Sequence, residues 1–330
     1  MEINTLKAMQ TMQNNHHCTI RALITDIEAK TSKNGNAFAA ITFTDGTDTA
    51  TVNSFIGPAD AIIQRGYVGA VTDVHVVKDG NGFLKIDKLR HIPDANIADY
   101  IPSAPIPPEE MFDALVEKMN GCGAVGQIGA ALYEQNREQL LIWSAAMVMH
   151  HNIRGGLLYH SYRMVQLVET IAAVYPVNRD ILITGAAIHD IGKLRELHTN
   201  AFGVAEYTTE GSLFGHSLLG IQMIDEVVSG FAPEFSQQHQ ADITHLKHML
   251  ASHHGELEFG AIVQPATSEA FLLHEADVID SKFYSYEHET AALAPGAMSD
   301  RIYPLGKIRV YNPAQPENIE APAAPPSNET

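Results

Sequence analysis

The spacing of apolar residues changes once along this chain, and that change constrains the fold more than any other feature. From about Thr19 to Ile92 apolar positions alternate with polar ones, as at Ile20, Ala22 and Ile24, at Phe38 and Ala40, at Val74 and Val76, and at Leu84 and Ile86. A period of two places every second side chain on one face of a strand. The pairs Asn34-Gly35, Asp45-Gly46, Asp79-Gly80 and Asn81-Gly82 can supply the positive φ of tight turns between such strands. About five strands in roughly 75 residues predict a small closed sheet, with an OB-fold barrel as the first candidate. After Pro108 the period becomes helical as far as about Glu289, with no strand series, which predicts an all-α second domain. The expected class is therefore α+β and multidomain, with a small OB-like β-barrel followed by a helical domain.

Between the two patterns lie Pro93, Pro102, Pro105, Pro107 and Pro108, which remove backbone donors and favour extended chain. The chain of 330 residues thus divides into a barrel over 1–92, a linker over 93–108, a helical domain over 109–311 and a tail over 312–330. The tail is rich in Pro, Ala, Asn and Glu and is expected to be disordered.

A hydrophobic fraction of 45% excludes disorder throughout. The longest apolar stretch, Leu140 to Met149, is interrupted at Ser144 and is short of the about 20 residues that cross a bilayer, so no membrane association is expected. Residues 1–17 lack the apolar centre of a signal peptide, and Cys18 and Cys122 are too few for a disulfide framework; both fit a cytoplasmic protein. The formal charge is −18, yet residues 1–100 hold nine basic and eleven acidic side chains, so the first domain is the half less repulsive to a polyanion. Its Lys30, Lys33, Lys78, Lys85, Lys88 and Arg90, with Phe38, Phe43, Phe55 and Phe83, are the residue types that bind phosphates and stack on bases of a single strand. Those phenylalanines are equally the expected core of a barrel.

Histidine is over-represented, at 17 residues against 21 lysines and arginines together. The histidines concentrate with aspartates on five helical segments between His150 and Asp280. His160 shares a face with Met164, Leu167, Val168 and Ile171. His189-Asp190 ends a segment that starts near Asn178. His216 begins one that continues through Leu219, Met223 and Val227; His253-His254 closes another before Gly255; and Asp277 and Asp280 follow Leu273. One such histidine is usually a satisfied structural residue. A series of imidazoles and carboxylates on apolar faces would cost several kcal/mol to bury unless cations or paired partners satisfied it. Imidazole and carboxylate without thiolate favour a divalent ion such as Mn, Fe, Co, Ni or Zn.

The array His160, His189-Asp190, His216, His253-His254 and Asp277 resembles the HD superfamily of metal-dependent phosphohydrolases. The surrounding text is closer to one branch: Gly155 to His160 (GGLLYH), Ile188 to Lys193 (IHDIGK), Thr208 to His216 (TTEGSLFGH) and Ser252 to Gly255 (SHHG). Preceded by an OB-like barrel, these segments resemble the YhaM-type 3′-5′ exoribonucleases over about Thr19 to Tyr311. The resemblance implies a two-metal site, with Mn the leading ion, in which His160, His189, Asp190 and Asp277 hold one cation and Asp190, His216, His253 and His254 the other. Asp190 would bridge them. It also implies single-stranded RNA as substrate, with single-stranded DNA a further candidate, attack from the 3′ end, and assembly as a homo-oligomer.

Lys193 follows the His-Asp pair and is placed to hold a phosphate oxygen, although a solvated lysine is an equal reading of the same position. Weaker candidates for substrate contact are His151, Arg154 and Lys282 in the helical domain and Lys30, Lys33 and Phe38 in the barrel. Asp280 is a candidate to fix a histidine tautomer from behind. Two other functions fit parts of the pattern: an HD-type phosphohydrolase of small or cyclic nucleotides, with the barrel serving assembly, and a single-strand-binding factor.

Overall fold

The computed structural model describes residues 3–32, 34–145, 153–200, 205–291 and 293–313. Among the candidate residues, Lys33 and His151 lie outside this set, as do residues 314–330 of the expected tail.

The Thr5 hydroxyl accepts the amide of Ala8 and starts α1 (Leu6–Gln10), whose Leu6 and Met9 join the barrel core. Strands β1 (His17–Thr31), β2 (Ala37–Thr44), β3 (Thr49–Ser54), β4 (Val71–Lys78) and β5 (Leu84–His91) close in the order β1-β2-β3-β5-β4, with a short α2 (Ala59–Ile63) between β3 and β4. One parallel contact, Asn53 opposite Lys85, completes the closure, which is the five-stranded connectivity of an OB-type barrel. β1 is long because it serves two partners: His17 to Leu23 pair with β4, and Leu23 to Thr31 with β2. An irregularity between Ile24 and Asp26 bends the strand where it changes partner.

Of the four barrel phenylalanines, Phe43 is core, whereas Phe55 and Phe83 are 54% and 67% exposed. Buried Asp73 on β4 accepts from Arg21 Nε at 2.8 Å and from Arg90, so a carboxylate inside the barrel wall is held by two guanidiniums that reach it from solvent.

The linker is tied down at both ends. Its 3₁₀ turn, Ile97–Tyr100, packs on the β2–β3 turn so closely that a Cβ on Gly46 would lie 2.5 Å from the Asp99 carbonyl oxygen. Ser103 pairs with Arg154 in an isolated bridge.

The second domain comprises α3 (Pro108–Asn120), α4 (Gly123–Gln135), α5 (Arg137–Leu140), α6 (Gly156–Ala172), α7 (Arg179–Ile188), α8 (Lys193–Glu196), α9 (Thr209–Ser229), α10 (Pro233–Gln238), α11 (Gln240–Ser252) and α12 (Ser268–Ala291). It is not purely helical. Two small antiparallel hairpins, β6 (Leu197–Thr199) with β7 (Ala205–Tyr207) and β8 (Met298–Ile302) with β9 (Ile308–Tyr311), correct the all-α expectation. Strands of three to five residues are too short to impose a readable period.

α7 is the axis of this domain. Asn178 caps it by accepting the Ile181 amide, every residue from Ile181 to Ile188 is buried, and α3, α4, α6, α11 and α12 surround it. A helix apolar on all sides is stable only in such a position. Gly185 lets α11 approach, since a Cβ there would lie 2.4 Å from Met249 Cε. Whatever ends α7 is consequently delivered to the middle of the domain.

Candidate metal centre

What ends α7 is His189-Asp190. His189 keeps helical backbone angles as the C-terminal cap, and Asp190 opens the turn into α8. Around this pair α6 presents His160, α9 presents His216, the end of α11 presents His253 and His254, and α12 presents Asp277.

Two local devices aim His216. Gly192 allows the turn after Asp190 to press on α9, for a Cβ there would sit 1.9 Å from the His216 carbonyl oxygen. Gly215, at φ 69° and ψ 156°, breaks α9 one residue earlier, so a short helical segment from Thr209 ends there and the segment carrying His216 starts at the break, as expected from spacing. The break frees the His216 amide, which donates to Glu196 Oε1 at 3.0 Å.

The oxygens of Asp190 face opposite ways. Oδ2 lies 3.6 Å from His160 Nε2 and 3.5 Å from His189 Nε2, whereas Oδ1 lies 3.4 Å from His216 Nε2 and 3.7 Å from His253 Nε2. Asp277 Oδ1 joins the first group at 3.3 Å from His160 Nε2, and His254 joins the second with its Nε2 3.2 Å from that of His216. The donor atoms form two clusters, His160, His189 and Asp190 in one and His216, His253 and His254 in the other, each within 4.8 Å.

The Nδ1 contacts decide what the facing Nε2 atoms can be. His189 Nδ1 donates to the Ala186 carbonyl at 3.0 Å and His253 Nδ1 to the Leu250 carbonyl at 2.8 Å. His160 Nδ1 donates to Asp280 Oδ2 at 2.8 Å, and His216 Nδ1 to Glu196 at 3.0 Å. Each neutral ring therefore keeps its hydrogen on Nδ1 and turns an Nε2 lone pair inward. When both rings of a pair are neutral, lone pairs oppose each other at 3.1 Å between His160 and His189 and at 3.3 Å between His216 and His253, whereas a proton on His160 Nε2 turns the first contact into a hydrogen bond. Buried lone pairs at this separation repel, and a shared cation removes the repulsion. Among the described residues, the buried Nδ1 of His254 has no hydrogen-bond partner. This donor set fits two divalent ions, and with nitrogen and oxygen ligands only it fits the first-row metals expected from the sequence.

Burial keeps the His189, His253 and His254 imidazoles below their usual pKa, which suits ligands that must be neutral. Burial also works against ionised Asp190, but Lys193 and the surrounding imidazoles hold its carboxyl well below the usual range. His160 is the contrary case: despite burial, Asp277 and Asp280 push it up to about 10, so the site attracts a proton where it would otherwise hold a cation.

Lys193 Nζ lies 2.7 Å from Asp190 Oδ2 and is nearly buried, which places its ammonium inside the centre. Arg154 is exposed and tied through its backbone to the linker, and Lys282 is exposed on α12. On the barrel, Lys30 is paired with Glu28 at 2.8 Å and stands opposite Phe38 in the β1–β2 register, while Phe38 packs on Phe55 with ring centroids 5.2 Å apart. Lys85 pairs with Asp79, Arg90 with Asp73, and Lys78 with the Met12 carbonyl. Much of the barrel's positive charge is thus answered within the barrel.

Asp280 stands behind His160 as its helical position suggested. Glu196, which performs the same task for His216, was not among the sequence candidates. It lies 20 residues before its partner, and only the β6–β7 excursion brings the two together.

Residues 157–282 match the HD domain family. The chain is 33% identical over 252 residues to the 3′-5′ exoribonuclease YhaM of Listeria welshimeri, covering 73% of this chain and 78% of that protein. It is 32% identical to the protein of the same name from Bacillus subtilis, covering 74% and 78%, and 30% identical to that of Oceanobacillus iheyensis, covering 79% and 80%. No solved structure matches the chain significantly.

Proposed function

Because the chain belongs to the family of YhaM-type 3′-5′ exoribonucleases, we propose that it is a metal-dependent exoribonuclease whose centre is the His and Asp array around Asp190 and whose barrel holds the single strand. The observation that carries this reading is the division of Asp190, with one oxygen toward His160 and His189 and the other toward His216 and His253.

In this reading His160, His189, Asp190 and Asp277 hold one divalent ion, and Asp190, His216, His253 and His254 the other, with Mn the leading candidate. Such a pair of cations supplies a water of lowered pKa and draws charge from phosphoryl oxygens. The protein's own contribution is positional. Asp190 stays a carboxylate, Asp280 and Glu196 keep the Nδ1 hydrogens of His160 and His216 in place, and Lys193 turns an ammonium toward a non-bridging oxygen of the scissile phosphate. Phe38 and Phe55 offer aromatic faces on which bases of any identity stack, which suits an enzyme that must accept every nucleotide in turn. The same contacts admit single-stranded DNA. A cytoplasmic homo-oligomer completes the reading, and among the described residues no helix is long and apolar enough to cross a membrane.

The test is to strip the full chain of metal and incubate it with 5′-labelled single-stranded RNA, with and without Mn²⁺. A metal-dependent ladder shortening from the 3′ end is expected, absent in Asp190→Ala. Intact RNA with hydrolysis of a mononucleotide would favour the small-nucleotide alternative.

A further inference from the structure

Behind His160 lies a side chain that the reading above does not use. Arg163, three residues after His160 on α6, donates from Nε to Asp280 Oδ1 at 2.5 Å and from Nη1 to Glu287 Oε2 at 2.9 Å. The other oxygen of Asp280 accepts from His160 Nδ1 at 2.8 Å. Glu287, Arg163, Asp280 and His160 therefore form a continuous chain from the protein surface to an inward-facing Nε2. The guanidinium also lies over the Tyr159 ring, 5.6 Å from its centroid. Asp280 and Glu287 are seven residues apart on α12, hence on one face, and His160 and Arg163 are similarly aligned on α6, so the chain clamps two helices at the centre.

The two ligand clusters differ here. His216 is backed by Glu196, which also takes the His216 amide and has no arginine hydrogen-bonded to it among the described residues. Asp280 is held on both oxygens by side chains, His160 Nδ1 on Oδ2 and Arg163 Nε on Oδ1.

Resting on the two-ion reading, we propose that Arg163 is a positioning residue for metal binding: it fixes the rotation of Asp280 and thereby the tautomer and aim of His160. Rotation of the Asp280 carboxylate about its terminal bond would turn the imidazole it holds. A planar guanidinium engaging both Asp280 and Glu287 removes that freedom, whereas the point charge of lysine cannot reproduce its geometry. Arg163 also lines a cleft of about 410 Å³ with Gly46, Thr47 and Tyr284, so it borders solvent and can be replaced without emptying the core.

The test titrates Mn²⁺ into metal-stripped full-length protein against a competing chelator, for the parent, Arg163→Met, Arg163→Lys and Asp280→Asn, with circular dichroism as the check on folding. Arg163→Met is expected to weaken one of the two ions by about 10- to 100-fold and leave the other unchanged, with lysine intermediate. RNA turnover should fall at limiting Mn²⁺ and recover at high Mn²⁺ with the KM for RNA unaltered. A folded Arg163→Met protein that binds both ions as the parent does overturns the inference. If that variant does not fold, Asp280→Asn decides: the same selective weakening supports the inference, and parental affinities overturn it. A parent that takes up no ion overturns the two-ion reading itself, and this inference with it.

Discussion

Lys193 Nζ sits 2.7 Å from Oδ2 of Asp190, the same oxygen that faces His160 and His189. A cation held by this oxygen, as proposed, would compete with the ammonium for one lone-pair region. Lys193→Met should therefore leave metal affinity equal to or tighter than the parent's while lowering RNA turnover by about 10- to 100-fold, the worth of a charge-assisted contact to phosphate. Chelator competition and single-turnover hydrolysis separate the two effects. Weaker metal binding in the variant would show that Lys193 supports the centre and does not face the substrate.

Gly192 and His216 are in backbone contact. Alanine at 192 places a methyl 1.9 Å from the His216 carbonyl oxygen, and backbone must move to admit it. Gly192→Ala should cost about 1–3 kcal/mol in thermal unfolding. It should also disturb the His216, His253 and His254 cluster more than its neighbour. Retention of two ions at parental affinity would contradict this coupling.

Phe38→Ala removes one face of the pair with Phe55. A stacked base contributes about 1–3 kcal/mol, so binding of a long single strand should weaken by about 5- to 150-fold while hydrolysis of a small phosphodiester stays unchanged. Fluorescence anisotropy with a labelled oligonucleotide reads the first quantity. Equal affinities would move the strand to another face of the barrel.

Asp73 gives the barrel a defined acid sensitivity. Burial disfavours its charged form, but Arg21 and Arg90 lower its pKa in the folded state below the unfolded value of about 3.9. The stabilisation is complete above the unfolded pKa and is lost as pH falls through the folded one. Asp73→Asn should cost about 1–2 kcal/mol at neutral pH, a modest figure because both arginines are partly exposed, and should flatten the stability profile below about pH 4. Unfolding curves at pH 7 and pH 3 check this. Parallel acid profiles for parent and variant would assign the sensitivity to other carboxylates.

Much of this architecture was legible because local and global signals agreed. The Asn178 cap, the apolar run of α7 and the ligand pair at its end are adjacent in sequence, and the same sequence makes the helix central. His160 could be read from its stripe with Met164 and Val168, both buried. The less legible parts depend on tertiary geometry. The spacing marks the start at Gly215, whose positive φ suits glycine, but not the short helical segment from Thr209 that precedes it. Glu196 has no local pattern marking it as a partner of His216. Nor does alternation reveal that Phe38 and Phe55 meet outside the barrel while Phe43 fills it, since both faces of a strand can carry aromatics.

Helix α12 carries Asp277 in the centre and, eleven residues on, His288, whose Nε2 lies 3.9 Å from Asp48 in the β2–β3 turn of the barrel. At 1.5 Å per residue that interval is about 16 Å of rigid helix. If the barrel holds the strand as proposed, the helix would act as a gauge: a strand long enough to span it would engage both domains, and one trimmed below it would keep only its contacts at the His and Asp array. Digestion of a long molecule should accordingly change pace near its end, at a residual length determined by protein architecture and indifferent to which bases remain.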